Sequence, residues 1–244
     1  MIQRFASLAL VLCVLALTAT VSVHAQSQDA TESPVTAQGS IGFALGVPTG
    51  AFNQNVENLG YGINAYIGAE FAGTPFGIGL DFSFFTFGRS TRNVPFSETV
   101  GGAVRVDVVT TSSIVQPHLV FRMQPDEGVV RPYLEGLFGF KYLFTDTRVQ
   151  DERREREEIA SSRNFDDFTL SGGAGAGADI RLLHTPPNAE TPFRGIYLNI
   201  GFQYVLGREA EYLYVSEGYD PDNPDIRRST TNMIVPSIGI SMQF

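Results

Sequence analysis

Ile196-Tyr197-Leu198-Asn199-Ile200-Gly201-Phe202-Gln203-Tyr204-Val205-Leu206 decides how this chain folds. Ile196, Leu198, Ile200, Phe202, Tyr204 and Leu206 fall on one face. Tyr197, Asn199, Gly201, Gln203 and Val205 fall on the other. A period of two is the period of a strand and not of a helix. Seven more segments share it. The first places Ile41, Phe43, Leu45 and Val47 opposite Ser40, Gly42, Ala44 and Gly46. The second runs from Tyr61 to Phe71, with Glu70 on its polar face. The third sets Phe76, Ile78, Leu80, Phe82 and Phe84 against Gly77, Gly79, Asp81 and Ser83. The fifth covers Leu134 to Phe144, the sixth Phe168 to Arg181, and the eighth Ile234 to Phe244. The fourth is long, from about Ala103 to Met123. Its early apolar set (Val104, Val106, Val108) is out of phase with its late set (Val115, Pro117, Leu119, Phe121, Met123), so a bulge or break is expected near Thr111–Ser113.

Eight strands is an even number, and the character of the two faces says which way they point. In a soluble sandwich or lipocalin the exposed face carries many Lys, Glu and Asp. Here it carries mostly Gly, Ser, Asn and Gln, which suits a narrow lumen where side chains share little space. The apolar face is then the lipid-facing one. The connections agree. Those after odd segments are long and polar, at about 48–60, 88–102, 145–167 and 207–230. Those after even segments are shorter, at 72–75, about 124–129 and about 184–195. A transmembrane barrel with both termini on the periplasmic side shows this alternation.

Composition removes other classes. The chain has 244 residues, with 43% hydrophobic and 18% charged, so it is neither collagen-like nor disordered. Its 17 basic residues include a single lysine, Lys141, and face 26 acidic ones, for a net charge of −9. With no basic stripe, a nucleic-acid partner is excluded. The only cysteine is Cys13, so no disulfide framework exists.

Residues 1–25 read as a secretory signal peptide. Arg4 is the basic region, an apolar run spans about Ala6 to Val23, and Val23-His24-Ala25 is the cleavage site. Residues 26–38 read as a flexible leader, and residues 39–244 as the barrel. Losing Arg4 takes the charge to 16 − 26 = −10. No later stretch reaches the 18 or so apolar residues of a membrane-spanning helix.

At this point the chain resembles the small outer-membrane β-barrels of the OmpA/OmpX type, in the form common in Bacteroidota-like bacteria. Four pieces carry the likeness: Gly46-Val47-Pro48-Thr49-Gly50-Ala51-Phe52 after the first segment, Arg131-Pro132-Tyr133-Leu134-Glu135-Gly136 opening the fifth, the Gly-rich Ser171–Gly177 in the sixth, and a last segment that alternates to Phe244. The resemblance covers roughly residues 38–244. It implies an eight-stranded antiparallel up-and-down transmembrane barrel in a bacterial outer membrane. It implies an assembly signal at Ile238, Ile240, Met242 and Phe244. The implied partners are the barrel-assembly machinery, periplasmic chaperones and outer-membrane lipids including lipopolysaccharide. A monomer is expected, and no cofactor. Two departures stand out. There is no Trp, so an aromatic girdle must come from Tyr and Phe. The chain ends at the eighth segment, so the peptidoglycan-binding domain of larger members is not expected.

The candidate site is the lumen. Glu70, Asp81, His118, Arg122, Glu135, Lys141, Asp179 and Arg181 lie on the polar face. Counted from the short turns, Asp81, His118, Glu135 and Asp179 are expected at one height, with Glu70, Arg122 and Arg181 lower. Charges buried in a narrow lumen must pair, so a structural network of ion pairs and hydrogen bonds is expected, with His118 bonded to Asp81 or Glu135. A cation or proton path along these carboxylates is the alternative. Barrel hydrolases place a His near the outer rim. His24 lies in the signal, and His118 and His184 lie toward the short turns, so no catalytic residue is assigned. Asp220, Asp222 and Asp225 form a weak Ca²⁺ candidate. Tyr212, Tyr214 and Tyr219 are candidates for adhesive contact or hairpin packing. The loop from Thr145 to Asp167, rich in Arg, Glu and Asp, is expected to be exposed to water. The functions in view are therefore a structural and surface-presenting barrel, a small porin, and a soluble periplasmic ligand binder.

Overall fold

The computed structural model describes residues 35–56, 58–95, 105–151, 158–184, 194–215 and 223–244. Eight strands close a barrel: β1 (Val35–Pro48), β2 (Gly60–Phe71), β3 (Phe76–Pro95), β4 (Arg105–Met123), β5 (Val130–Asp151), β6 (Glu158–His184), β7 (Gly195–Gly207) and β10 (Met233–Gln243). Each pairs antiparallel with its chain neighbour, and β10 returns to β1 through pairs such as Ile41–Ile240 and Phe43–Ile238. Closure leaves no strand edge in need of a partner. The chain between β7 and β10 forms a two-stranded hairpin, β8 (Glu209–Leu213) with β9 (Ile226–Thr230). A short helix, α1 (Ala51–Asn55), follows β1.

The alternation dictates the faces. Phe43 is 74% exposed and Phe138 65%, and Ile41, Leu80, Phe121, Phe202 and Ile238 also stand outward. Their strand neighbours Gln38, Asn64, Asp81, Val120, Glu135, Asp179 and Gln203 are buried inside. The short turn after β2 uses Gly73 at φ 71, a conformation a Cβ would strain, and Thr74 closes it with N–H and hydroxyl bonds to the Phe71 carbonyl at 3.1 and 2.9 Å. Strand β1 starts at Val35, earlier than the expected boundary at residue 39, because Thr36 and Gln38 pair with β2 and sit buried. The signal segment lies outside the described residues.

The long connections hold more order than a reading as loops allows. β3 to β6 have 20, 19, 22 and 27 residues, whereas β1, β2, β7 and β10 have 14, 12, 13 and 11. Pairing continues to Pro95–Arg105, Val106–Asp151 and Gln150–Glu158. One side of the barrel is therefore a tall four-stranded wall, and most of the expected loop 145–167 belongs to it. Arg153, Arg154, Arg156, Glu155 and Glu157 lie outside the described residues.

The expected break at Thr111–Ser113 is corrected by the register. β4 pairs with β5 without a slip past these residues. The irregularity is on β3, between Thr86 and Gly88, opposite Ser113 and Ser112. Phe87 is the extra residue, and it flips β3 so that Phe85, Phe87 and then Ser90 are buried. The apolar residues of β4 change face for a different reason. Low on the strand the outer face is the apolar one. Higher up, Ser112 reaches the Leu213 carbonyl of β8 at 3.3 Å, and Val106, on the same face as Ser112, is buried.

Candidate functional site

The lumen is filled by three layers of polar side chains. At the short-turn end, Arg131 donates one nitrogen to both oxygens of Glu70, at 2.9 and 2.8 Å, and its Nε to the Pro125 carbonyl. Gln243 donates to Glu70 as well. Asp179 accepts from Gln38 at 2.7 Å, Gln124 at 2.8 Å and Asn199 at 2.8 Å. A carboxylate held by three amide donors is well satisfied without a cation.

The middle layer is built on Arg122. Its Nη2 and Nε donate to Glu135 Oε2 at 2.7 and 3.1 Å. The guanidinium lies between two tyrosines, 3.8 Å from the Tyr66 ring centre and 4.2 Å from that of Tyr133. Such stacking suits arginine's planar, weakly hydrated cation. Gln203 donates to Glu135 Oε1 at 2.9 Å and reaches Asp81, which also accepts from Asn64 at 2.7 Å and from Ser83. The upper layer is sparser. His118 Nε2 and the Ser171 hydroxyl lie 2.8 Å apart, and the Lys141 ammonium donates to the Thr231 carbonyl.

Above these layers an apolar cluster lies across the mouth. Phe85, Ile114, Leu143, Val205, Met233 and Val235 are buried with Phe52 of α1, Phe87 and Tyr212 of β8 in one apolar cluster. Phe52 meets Phe87 at 5.8 Å and Tyr212 at 5.4 Å, edge to face. Polar bonds hold the hairpin to the wall: Thr169 to the Glu209 carbonyl, Ser112 to the Leu213 carbonyl, and the Glu211 N–H to Asp167. Arg227 donates to the Asn55 carbonyl at 2.7 Å, tying β9 to α1.

The eight expected lumen residues fare differently. Glu70, Asp81, His118, Arg122, Glu135, Lys141 and Asp179 are all buried inside the barrel. Their heights differ from the count. Arg122 pairs across with Glu135 and not with a lower layer, Asp81 faces His118, and Asp179 faces Arg131. Barrel strands are staggered, so distance from a turn does not give height across several strands. His118 bonds Ser171, not Asp81 or Glu135. Arg181 leaves the network. Its strand slips register between Arg181 and Leu183, and its guanidinium donates to the Gly128 carbonyl in the β4–β5 turn at 2.6 Å.

Residues outside that set complete the network: Arg131, the amides Gln38, Asn64, Gln124, Asn199 and Gln203, and the tyrosines Tyr66, Tyr133 and Tyr197. Their signal was present, since all but Gln124 lie on the inward face of a strand, Arg131 in line with Tyr133 and Glu135 on β5. Ile238, Ile240, Met242 and Phe244 line the outer face of the last strand and its end. Asp220, Asp222 and Tyr219 lie outside the described residues. Asp225 is taken by Arg227 at 2.7 and 3.0 Å, and this carboxylate holds the Arg227 guanidinium above its ordinary range. Tyr212 packs into the cap, and Tyr214 stacks on Arg227 at 3.7 Å.

No family model matches the chain, and no curated protein matches it. Similar solved structures exist. Neisserial surface protein A is 12% identical over 86% of this chain and 96% of that one, with a TM-score of 0.37. The Yersinia pestis outer membrane protein Ail in a phospholipid nanodisc is 17% identical over 86% and 99%, with a TM-score of 0.33. A major outer membrane protein from Thermus thermophilus is 14% identical over 85% and 99%, with a TM-score of 0.39.

Proposed function

We propose that this chain is a closed, non-catalytic barrel of a bacterial outer membrane, which stabilises the envelope and presents the tall wall of β3–β6 outside the cell. One observation carries the reading: an unbroken outward apolar band around a lumen packed with mutually bonded side chains. Along β7 the band runs from Ile196 to Leu206. At about 3.3 Å per residue and a tilt of about 40°, that rises about 25 Å, the height of the apolar band in such barrels. A soluble barrel has no use for an outer face of this kind.

The lumen argues against a porin. Arg122, Tyr66 and Tyr133 fill the middle layer, and Phe52, Phe85 and Phe87 lie across the mouth. Planar-bilayer recordings of the purified protein are expected to show no discrete channel steps. Regular steps at open-porin size would refute the closed barrel. An enzyme is disfavoured too, because His118 and Ser171 meet inside the lumen, buried, with the second ring nitrogen of His118 unpartnered.

The partners follow from this placement. The outer face just above the apolar band carries Arg89, Thr111, Asp146 and Arg163 in one cross-strand row, with Arg148 beyond it. Arg163 stacks near Phe144 at 4.8 Å, an arrangement suited to phosphate-bearing headgroups such as lipopolysaccharide. The barrel-assembly machinery would read Ile238, Ile240, Met242 and Phe244, periplasmic chaperones would carry the chain, and the closed ring needs no second copy. Trypsin treatment of intact cells tests the topology. Cleavage is expected after Arg153, Arg154 and Arg156, with Arg148 and Arg163 spared because they lie in paired strands. Resistance in whole cells with the same cleavage after lysis would contradict it and favour a periplasmic ligand binder.

A further inference from the structure

The upper lumen holds a buried cation that the layers below do not use. Lys141 is 0% exposed. Among the described residues its ammonium forms no ion pair and donates to the Thr231 carbonyl alone. An ammonium has three donors. The β4–β5 register, Val115 with Tyr142 and His118 with Gly139, sets Gln116 opposite Lys141. Gln116 is 0% exposed, and neither its amide nitrogen nor its amide oxygen has a partner. His118 lies one step below on the same face, with Nδ1 also unpartnered.

The one carboxylate that directly faces these residues in the register is already held by other donors. Asp81, the carboxylate across from His118, is held by Asn64, Ser83 and Gln203. The inward faces of β4 and β5 thus present one ammonium, one imidazole and one side-chain amide as neighbours, with Phe85, Ile114 and Leu143 in the apolar cluster above. A buried ammonium without counter-charge is strongly disfavoured.

We infer that these three side chains bind a small monovalent anion such as chloride. Lys141 Nζ, the Gln116 amide N–H and the His118 Nδ1–H donate to it, with His118 Nε2 accepting from the Ser171 hydroxyl. Phosphate and sulfate fit poorly, because the site offers neither an arginine fork nor a run of backbone N–H groups. The anion fixes the ammonium that grips Thr231, the residue between β9 and β10. It therefore fastens the foot of the capping hairpin.

The test is the heat-unfolding midpoint of the purified, detergent-folded protein at constant ionic strength, with gluconate replaced by chloride. A rise of about 4 °C is expected for the wild type at saturating chloride, and none for Lys141→Met. Crystals soaked in bromide provide the second readout, with an anomalous peak expected within hydrogen-bond distance of Lys141 Nζ, and this readout needs no variant. A midpoint indifferent to the anion together with no bromide peak would overturn the site and leave Lys141 bound to Thr231 alone. A midpoint shift equal in wild type and Lys141→Met, again with no peak, would overturn it as a surface salt effect.

Discussion

Replacing Arg122 with Met is expected to destabilise the folded barrel by about 3–5 kcal/mol, the cost of leaving a buried charge without its partner. The change strips Glu135 Oε2 of both its donors, which stand at 2.7 and 3.1 Å. The remaining donor, Gln203, serves the other oxygen. Tyr66 and Tyr133 lose the cation between them at the same time, which removes up to about 2 kcal/mol more where the stack is dry. The informative comparison is the double variant Arg122→Met with Glu135→Leu. It removes both charges and restores much of the loss, because a buried pair is often worth little more than well-packed apolar groups. Urea titration of the protein in detergent micelles or vesicles measures both. A single-variant loss below about 1 kcal/mol would mean that the middle layer is wet and loosely held.

Phe202→Arg is expected to cost about 2–4 kcal/mol, the penalty for a guanidinium on the lipid face at mid-bilayer. Phe202 stands at the middle of β7, 51% exposed, paired with Pro236 and Ala176. The control is Ser161→Arg on the exposed upper part of β6, where a surface substitution falls within about 0.5 kcal/mol. The contrast between the two positions carries the argument, since both side chains are exposed and only the solvent differs. If Arg at 202 is tolerated as well as Arg at 161, the outer face does not meet lipid and the soluble reading returns.

The faces of the barrel were legible residue by residue. Ile200 outward and Asn199 inward need only the two-residue period of a strand. The number of strands follows from counting such segments. Seven of the eight expected lumen charges are inside for the same reason. Arg181 shares the inward face with Asp179, but it sits at the short-turn end, where its guanidinium meets the Gly128 carbonyl and not a carboxylate, and a period does not show that.

Alternation therefore determined the strands, their faces and the apolar band, since each depends only on a residue and its nearest chain neighbours. Tertiary structure alone decided who meets whom. Arg122 finds Glu135, Arg131 finds Glu70 across 61 residues of chain, and His118 finds Ser171 because stagger accumulates from strand to strand around the ring. It also decided that the last long connection is a hairpin folded onto the mouth. Phe52, Phe87 and Tyr212 come from three separate segments, and their meeting exists only once the barrel has closed and brought those segments to one rim.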